Sequence, residues 1–377
     1  MRNIVTLLLI PIFSIAQTYD VLFIGNSYIY YNDLPIMLDN LANSLGDDIN
    51  FEQSTPGGET LEGHSTYPLT INKINQTNWD YVILQGQSQR SALSPAYVST
   101  NVTPFAQQLV SMIESNNSCS EPLFFMTWGR KYGDQSYCAF YPPVCTFDGM
   151  QARLRDSYLN YGFNNSATIS PVGIAWKRAM NQNSTINLYR NDNSHPSERG
   201  TYLTACTFYA TIFKKSPIGA SFKPAGMNQS VATFLQTIAH DVVLDSLATW
   251  NIFNADFEYT IVNTANPTIF FNNLSSNYEN LIWSFGDGTT STSSNPTHQY
   301  SSPGNYTVTL TVYTNNGCLI DSISQNIDII FTNVNEIHQN QEVLIKSDLL
   351  GRKNKNSKFI LMLDAKGVKT KKIQLKD

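Results

Sequence analysis

A serine, an aspartate and a histidine at the ends of apolar runs can carry out acyl transfer, and this sequence contains such a set. Ser27 follows the apolar run Asp20–Ile24 in Gly25-Asn26-Ser27. Asp192 and His195 lie three apart in Asp192-Asn193-Ser194-His195-Pro196, so one tight loop can present both. Serine then serves as nucleophile, histidine as general base and aspartate as the group that orients the imidazole. Donors for an oxyanion are on offer after two further runs, in Ser54-Thr55-Pro56-Gly57-Gly58 and in Gln85-Gly86-Gln87-Ser88-Gln89. A Gly-x-Ser-x-Gly elbow is absent, because Gly25-Asn26-Ser27-Tyr28-Ile29 lacks the second glycine, and an ordinary α/β-hydrolase is therefore disfavoured. Taken singly, Ser27 reads as a helix cap and Asp192/His195 as a surface turn. Their joint occurrence carries the catalytic reading.

Elements of two kinds must hold these residues. Asp20–Ile24, Ile49–Gln53, Tyr81–Gln85 and Leu123–Trp128 read as buried strands. Helical patterns fall at Leu34–Leu45, Thr103–Ser115, Met150–Tyr161, Val172–Met180, Glu198–Lys214 and Val231–Leu247. Such alternation predicts a parallel sheet with helices on both faces, and ligands of open α/β sheets bind beyond the carboxyl ends of the strands. Around Asn251 the period changes to two. Thr260-Ile261-Val262, Thr268–Phe271, Leu281–Phe285, Tyr306–Val312 and Ile323–Ile330 alternate between Gly/Asn/Ser/Pro turns, which predicts a small antiparallel sandwich. A third piece, 335–377, repeats the strand pattern on a basic background.

Composition narrows the function. The chain has 377 residues, 42% of them hydrophobic, which is enough for packed cores. Charged residues make up only 14%, a surface that suits an extracellular protein. Net charge is −5 and no long basic run occurs before residue 330, which argues against nucleic acid as a partner. Residues 341–377 hold 10 Lys+Arg against 4 Asp+Glu, while residues 1–340 hold 14 against 25, so a basic tail follows an acidic body. Met1-Arg2-Asn3, an apolar run Ile4–Ile15 and the small-x-small end Ser14-Ile15-Ala16 predict a signal peptide over 1–16. No other run approaches 18 apolar residues, so no stable membrane insertion is expected. Of five cysteines, Cys138 and Cys145 flank a Pro-rich loop and are the expected disulfide, with the pairing of Cys119, Cys206 and Cys318 left open. No metal-ligand spacing is present and no cofactor is expected.

The order Gly-Asn-Ser, glycine turn, Gly-containing third loop and Asp-x-x-His-Pro resembles the SGNH (GDSL-type) hydrolases over about residues 18–250. Most members carry Asp before the serine where this chain has Asn26, and Asn in the third block where this chain has Gln85-Gly86-Gln87-Ser88, a loop closer to the Gln-Gly-Glu-Ser of sialate O-acetylesterase-like members. The resemblance implies a flavodoxin-like α/β/α domain over 17–250, with Ser27, Asp192 and His195 as the triad. It places the amides of Ser27 and Gly58, or Gly57 if the turn is offset, in the oxyanion hole with the side chain of Gln87 or its rival Gln85. Tyr28, Trp128 and Arg130 are expected at the substrate rim. Trp283-Ser284-Phe285-Gly286-Asp287-Gly288, Asn295–Tyr300 and Pro303-Gly304-Asn305-Tyr306 resemble a PKD domain, an Ig-like sandwich over 253–331, in which His298 reads as packed and Asp287 as a turn cap. Asp348–Arg352, Lys358–Leu363 and Gly367–Lys372 resemble the C-terminal sorting domain of the type IX secretion system of Bacteroidota, over 335–377. Together these imply a secreted or surface-held serine esterase acting on short acyl esters, acetyl above all, carried by small molecules or glycans, with the type IX machinery as partner. Two alternatives stay open: a lipase or thioesterase with the same triad, and an inactive glycan- or protein-binding relative.

Overall fold

The computed structural model describes residues 17–263, 267–314, 317–330, 360–364 and 367–371. The expected signal peptide lies outside these residues, as does most of the expected sorting segment. Five parallel strands form one sheet: β1 (Thr18–Ile24), β2 (Asp48–Ser54), β3 (Tyr81–Leu84), β4 (Glu121–Phe125) and β5 (Thr168–Ser170), in the order β2-β1-β3-β4-β5. Val21, Leu22, Phe23 and Ile24 of β1 are all fully buried, as a central strand covered on both faces requires. β5 was not among the expected strands; three residues are too few to show a period.

The strand order matters for the site. The chain leaves β1 for β2 on one side and crosses to β3 on the other, so the loops after β1 and β3 part at a switch point. Register puts Ile24 beside both Ser54 and Leu84, so the three loops that follow start level with one another. Gly25, Thr55 and Gln85 are thus neighbours by construction.

One helix, Glu198–Phe213, is capped by Ser197 and buried all round from Gly200 to Phe213. Its threonines survive there because Thr204, Thr207 and Thr211 each donate to the carbonyl four residues back, at 2.8–2.9 Å. The helix packs against the helices Leu34–Asn43 and Gln229–Val243, and its Tyr202 hydroxyl accepts from Gln236 Nε2 of the latter at 2.8 Å. Among the described residues no helix is long and apolar enough to cross a membrane.

The second architecture is all antiparallel. One sheet runs β10 (Thr297–Gln299), β7 (Thr268–Asn273), β6 (Phe257–Asn263); the other runs β12 (Leu319–Ile329), β11 (Gly304–Tyr313), β8 (Asn280–Ser284), β9 (Thr290–Ser291). Val308, Leu310 and Val312 alternate into its core with Phe271, Trp283 and Phe285. Asp287 caps its turn through the Thr289 N–H and hydroxyl, and His298 stacks on Phe285 at 4.1 Å while meeting Asp287 at 2.7 Å. Beyond it, β13 (Ile360–Asp364) and β14 (Gly367–Lys371) pair as a hairpin. Disulfides join Cys138 to Cys145 and Cys119 to Cys318, leaving Cys206 as a buried thiol.

Candidate active site

Ser27 opens the short helix Ser27–Tyr30 at the carboxyl end of β1, and Asn26 is its cap. His195 Nε2 lies 2.9 Å from Ser27 Oγ, and His195 Nδ1 lies 2.6 Å from Asp192 Oδ2. The carboxylate only accepts, so Nδ1 carries the hydrogen and Nε2 is left as the acceptor facing the serine hydroxyl. The other Asp192 oxygen takes the N–H groups of Ser194 and His195, both at 2.9 Å. Burial raises the Asp192 carboxyl, but these two N–H bonds and the imidazole outweigh it and hold the group below its ordinary range. Three residues read from the sequence therefore meet in one hydrogen-bonded line.

The loop that carries them is a hairpin closed by Arg190 N–H to His195 O at 2.9 Å, with Asn193 in the left-handed region at φ 59°. Two rings hold it from behind. Tyr28 OH is 2.7 Å from Ser194 Oγ, and Trp128 Nε1 donates to Ser194 O at 2.9 Å. Tyr28 stacks on Trp128 at 4.6 Å, which stacks on Trp176 at 3.8 Å. Tyr28 is 5% exposed and Trp128 fully buried, so neither sits at a substrate rim. Both were expected there and instead form a rigid column that fixes the residue next to the histidine. Arg130 is also turned away from the expected role: its guanidinium faces the buried Asp134 carboxylate at 3.6 Å.

Asn26 and Gln85 tie the three strand-end loops together. Asn26 N–H donates to Gln85 Oε1 at 2.9 Å, Asn26 Nδ2 donates to Glu59 O at 2.8 Å, and Asn26 Oδ1 accepts from Tyr28 N–H at 3.1 Å. Gln85 is fully buried, with its amide nitrogen donating to Gly86 O and its oxygen accepting from Asn26 N–H, so it braces the Ser27 turn from a position closed to solvent. Gly25 has to be glycine here, since a Cβ would lie 2.6 Å from Gln85 Oε1. Beneath the turn, buried His64 donates from Nε2 to Gly25 O at 2.8 Å and meets Thr70 Oγ1 through Nδ1 at 2.8 Å. Burial pushes its pKa down, which suits a neutral ring wedged under the turn. Spacing alone offered no sign of the Asn26, Gln85 or His64 contacts, because they join loops 30 to 60 positions apart.

The donors differ in what they have left. Gly58 has φ +71° in the turn that Glu59 N–H closes onto Pro56 O, a conformation that favours glycine. Gly57 lies under Tyr30, whose hydroxyl would sit 3.5 Å from a Cβ at that position. Ser27 N–H belongs to a first helical turn and has no helical acceptor by position. Gln87 caps the helix Ser88–Ala92 through its oxygen, and its amide nitrogen bonds Gln89 Oε1 with one hydrogen to spare.

The fold and this line of side chains define a parallel α/β protein with a hydrogen-bonded Ser-His-Asp set at its switch point, joined to a PKD-type sandwich. Residues 254–329 match the PKD domain family. Among solved structures, the chain is similar to a DUF4886 family protein from Bacteroides uniformis, at 18% identity and TM-score 0.52, over 60% of this chain and 95% of that one. It is also similar to a protein from Slackia heliotrinireducens described as an SGNH hydrolase, at 22% identity and TM-score 0.44, over 52% and 99%. Among curated proteins, 36 residues are 61% identical to collagenase ColA of Bacillus cereus. That match takes in 10% of this chain and spans about 4% of the collagenase's length.

Proposed function

We propose that the protein is a secreted serine esterase that hydrolyses short acyl esters, acetyl above all, carried on carbohydrate. The observation that carries this reading is the unbroken line Ser27 Oγ, His195 Nε2, His195 Nδ1, Asp192 Oδ2 at 2.9 and 2.6 Å. Ser27 Oγ attacks the ester carbonyl as its proton passes to His195 Nε2. The carbonyl π electrons move to oxygen, and the N–H groups of Ser27 and Gly58 with the spare Gln87 hydrogen receive the oxyanion. The tetrahedral adduct collapses, the alcohol leaves with the proton from His195, and water repeats the cycle on the acyl-enzyme through the same base. Asp192 keeps the imidazole in the one tautomer that can accept.

Two disulfides support an oxidising destination, in keeping with the leader and the sorting tail read from the sequence. The type IX machinery would then act on the segment that includes β13 and β14. Hydrolysis of p-nitrophenyl acetate, butyrate and octanoate by wild type and Ser27→Ala tests the mechanism. Short-chain turnover that drops by about 10³ or more in the variant is expected. Turnover that survives the substitution overturns it, and a rate that climbs with chain length replaces the esterase by a lipase.

A further inference from the structure

Resting on that esterase reading, we infer that the mouth of the site holds a subsite for a saccharide carboxylate, so that the preferred substrate is an acylated acidic glycan. Two cations flank the catalytic hairpin, each laid on an aromatic ring. The Arg190 guanidinium lies 4.9 Å from the centroid of Tyr31, and the Lys131 ammonium lies 5.6 Å from that of Tyr132. Tyr31 is itself 4.4 Å from the His195 ring, so Arg190 is one aromatic ring away from the general base. Lys131 N–H donates to Asn193 O at 3.0 Å and Asn193 N–H donates to Arg190 O at 3.0 Å, so the two backbones join through the tip of the same hairpin. Both side chains are exposed.

Neither cation meets a carboxylate within ion-pair distance among the described residues. The acid nearest Arg190 in sequence, Asp192, spends its oxygens on His195 and on two backbone N–H groups, and the acid nearest Lys131, the buried Asp134, is taken up by Arg130, Gln89 and the Ser136 N–H. A guanidinium held over a ring by cation–π attraction spends no N–H on that contact, so its fork can receive a planar carboxylate in two bonds. Stacking also removes rotamer freedom before the ligand arrives, so less is lost on binding. Two unpaired cations beside the triad stand out in a chain whose residues 1–340 hold 14 basic against 25 acidic groups. Tyr30, 42% exposed and stacked on Tyr31 at 5.3 Å, extends the aromatic surface on which a pyranose face can lie.

The test compares acetate release from chemically acetylated polygalacturonate and chemically acetylated dextran, prepared alike. Wild type is expected to show at least a tenfold higher kcat/KM on the polyuronate at low salt, with the ratio shrinking as salt rises. Arg190→Gln combined with Lys131→Gln is expected to bring the ratio near one. Equal rates of wild type on the two polymers, or a ratio that the double variant leaves intact, overturns the subsite; a merely structural effect would lower both rates and spare the ratio. Binding is read separately, by retardation of the Ser27→Ala protein in gels containing polygalacturonate. Retardation lost on adding the two substitutions, together with a wild type that turns over no ester, upholds the subsite and refutes the esterase. Turnover of p-nitrophenyl acetate without retardation does the reverse.

Discussion

At the scale of single residues, Asn26 shows how one amide does what a carboxylate cannot. Its oxygen caps the helix that starts at Ser27 while its nitrogen donates to Glu59 O, so it needs both halves of the amide. An ionised aspartate at this position has two acceptors and no donor, and would set an oxygen against the Glu59 carbonyl. Asn26→Asp is therefore expected to lower kcat for p-nitrophenyl acetate by roughly tenfold to a hundredfold, with a smaller change in KM, since an unmade bond beside the turn costs about 1–3 kcal/mol. A variant with wild-type kcat would show that the brace is dispensable. The order of Ser27, Asp192 and His195 was readable in the chain because each stands beside a turn signal at the end of an apolar run. Tyr28 and Trp128 were misread for a physical reason: an aromatic ring near a nucleophile looks the same in sequence whether it faces solvent or a second ring. Only the Tyr28/Trp128/Trp176 stack distinguishes the two.

At the scale of elements, long periodic segments were readable and short ones were not. The helix Thr103–Asn116 matches its expected span closely because its four turns show a buried stripe at Ala106, Leu109, Val110 and Ile113, and Glu198–Phe213 does so because a long apolar run opens at the cap Ser197. β5 is invisible to the same method, yet it completes the sheet through Glu121 at the start of β4, whose carboxylate accepts from Thr168 N–H at 2.8 Å. Burial is the main influence on Glu121 and pushes its pKa up to about 7, against the lowering effect of the Thr168 bonds. A folded-state pKa raised above the unfolded one means that the native chain holds the proton longer. Stability from this group is full below about pH 4.5 and is lost as the pH rises toward 7, by an amount on the order of 2–3 kcal/mol. Urea denaturation of wild type and Glu121→Gln between pH 5 and 8 should show a downward slope in the first and a flatter profile in the second. Parallel profiles would remove Glu121 as the cause.

At the scale of the whole molecule, the change of hydrophobic period near residue 251 announced two architectures, and both are present. What composition could not say was which cysteines would meet, because pairing depends on how the chain returns, not on how it is spaced. Cys138–Cys145 spans 7 residues and was readable from its loop; Cys119–Cys318 spans 199 and was not. That long bridge makes the chain between the two sulfurs a closed ring. A single peptide cut anywhere inside the ring opens it without parting the molecule, so a once-clipped protein should run as one band on a denaturing gel and separate into two only after a thiol is added. Fragments that part without reductant would show the ring unformed. Wherever proteases are met and reductants are scarce, the same bridge would let a nicked chain keep both of its pieces.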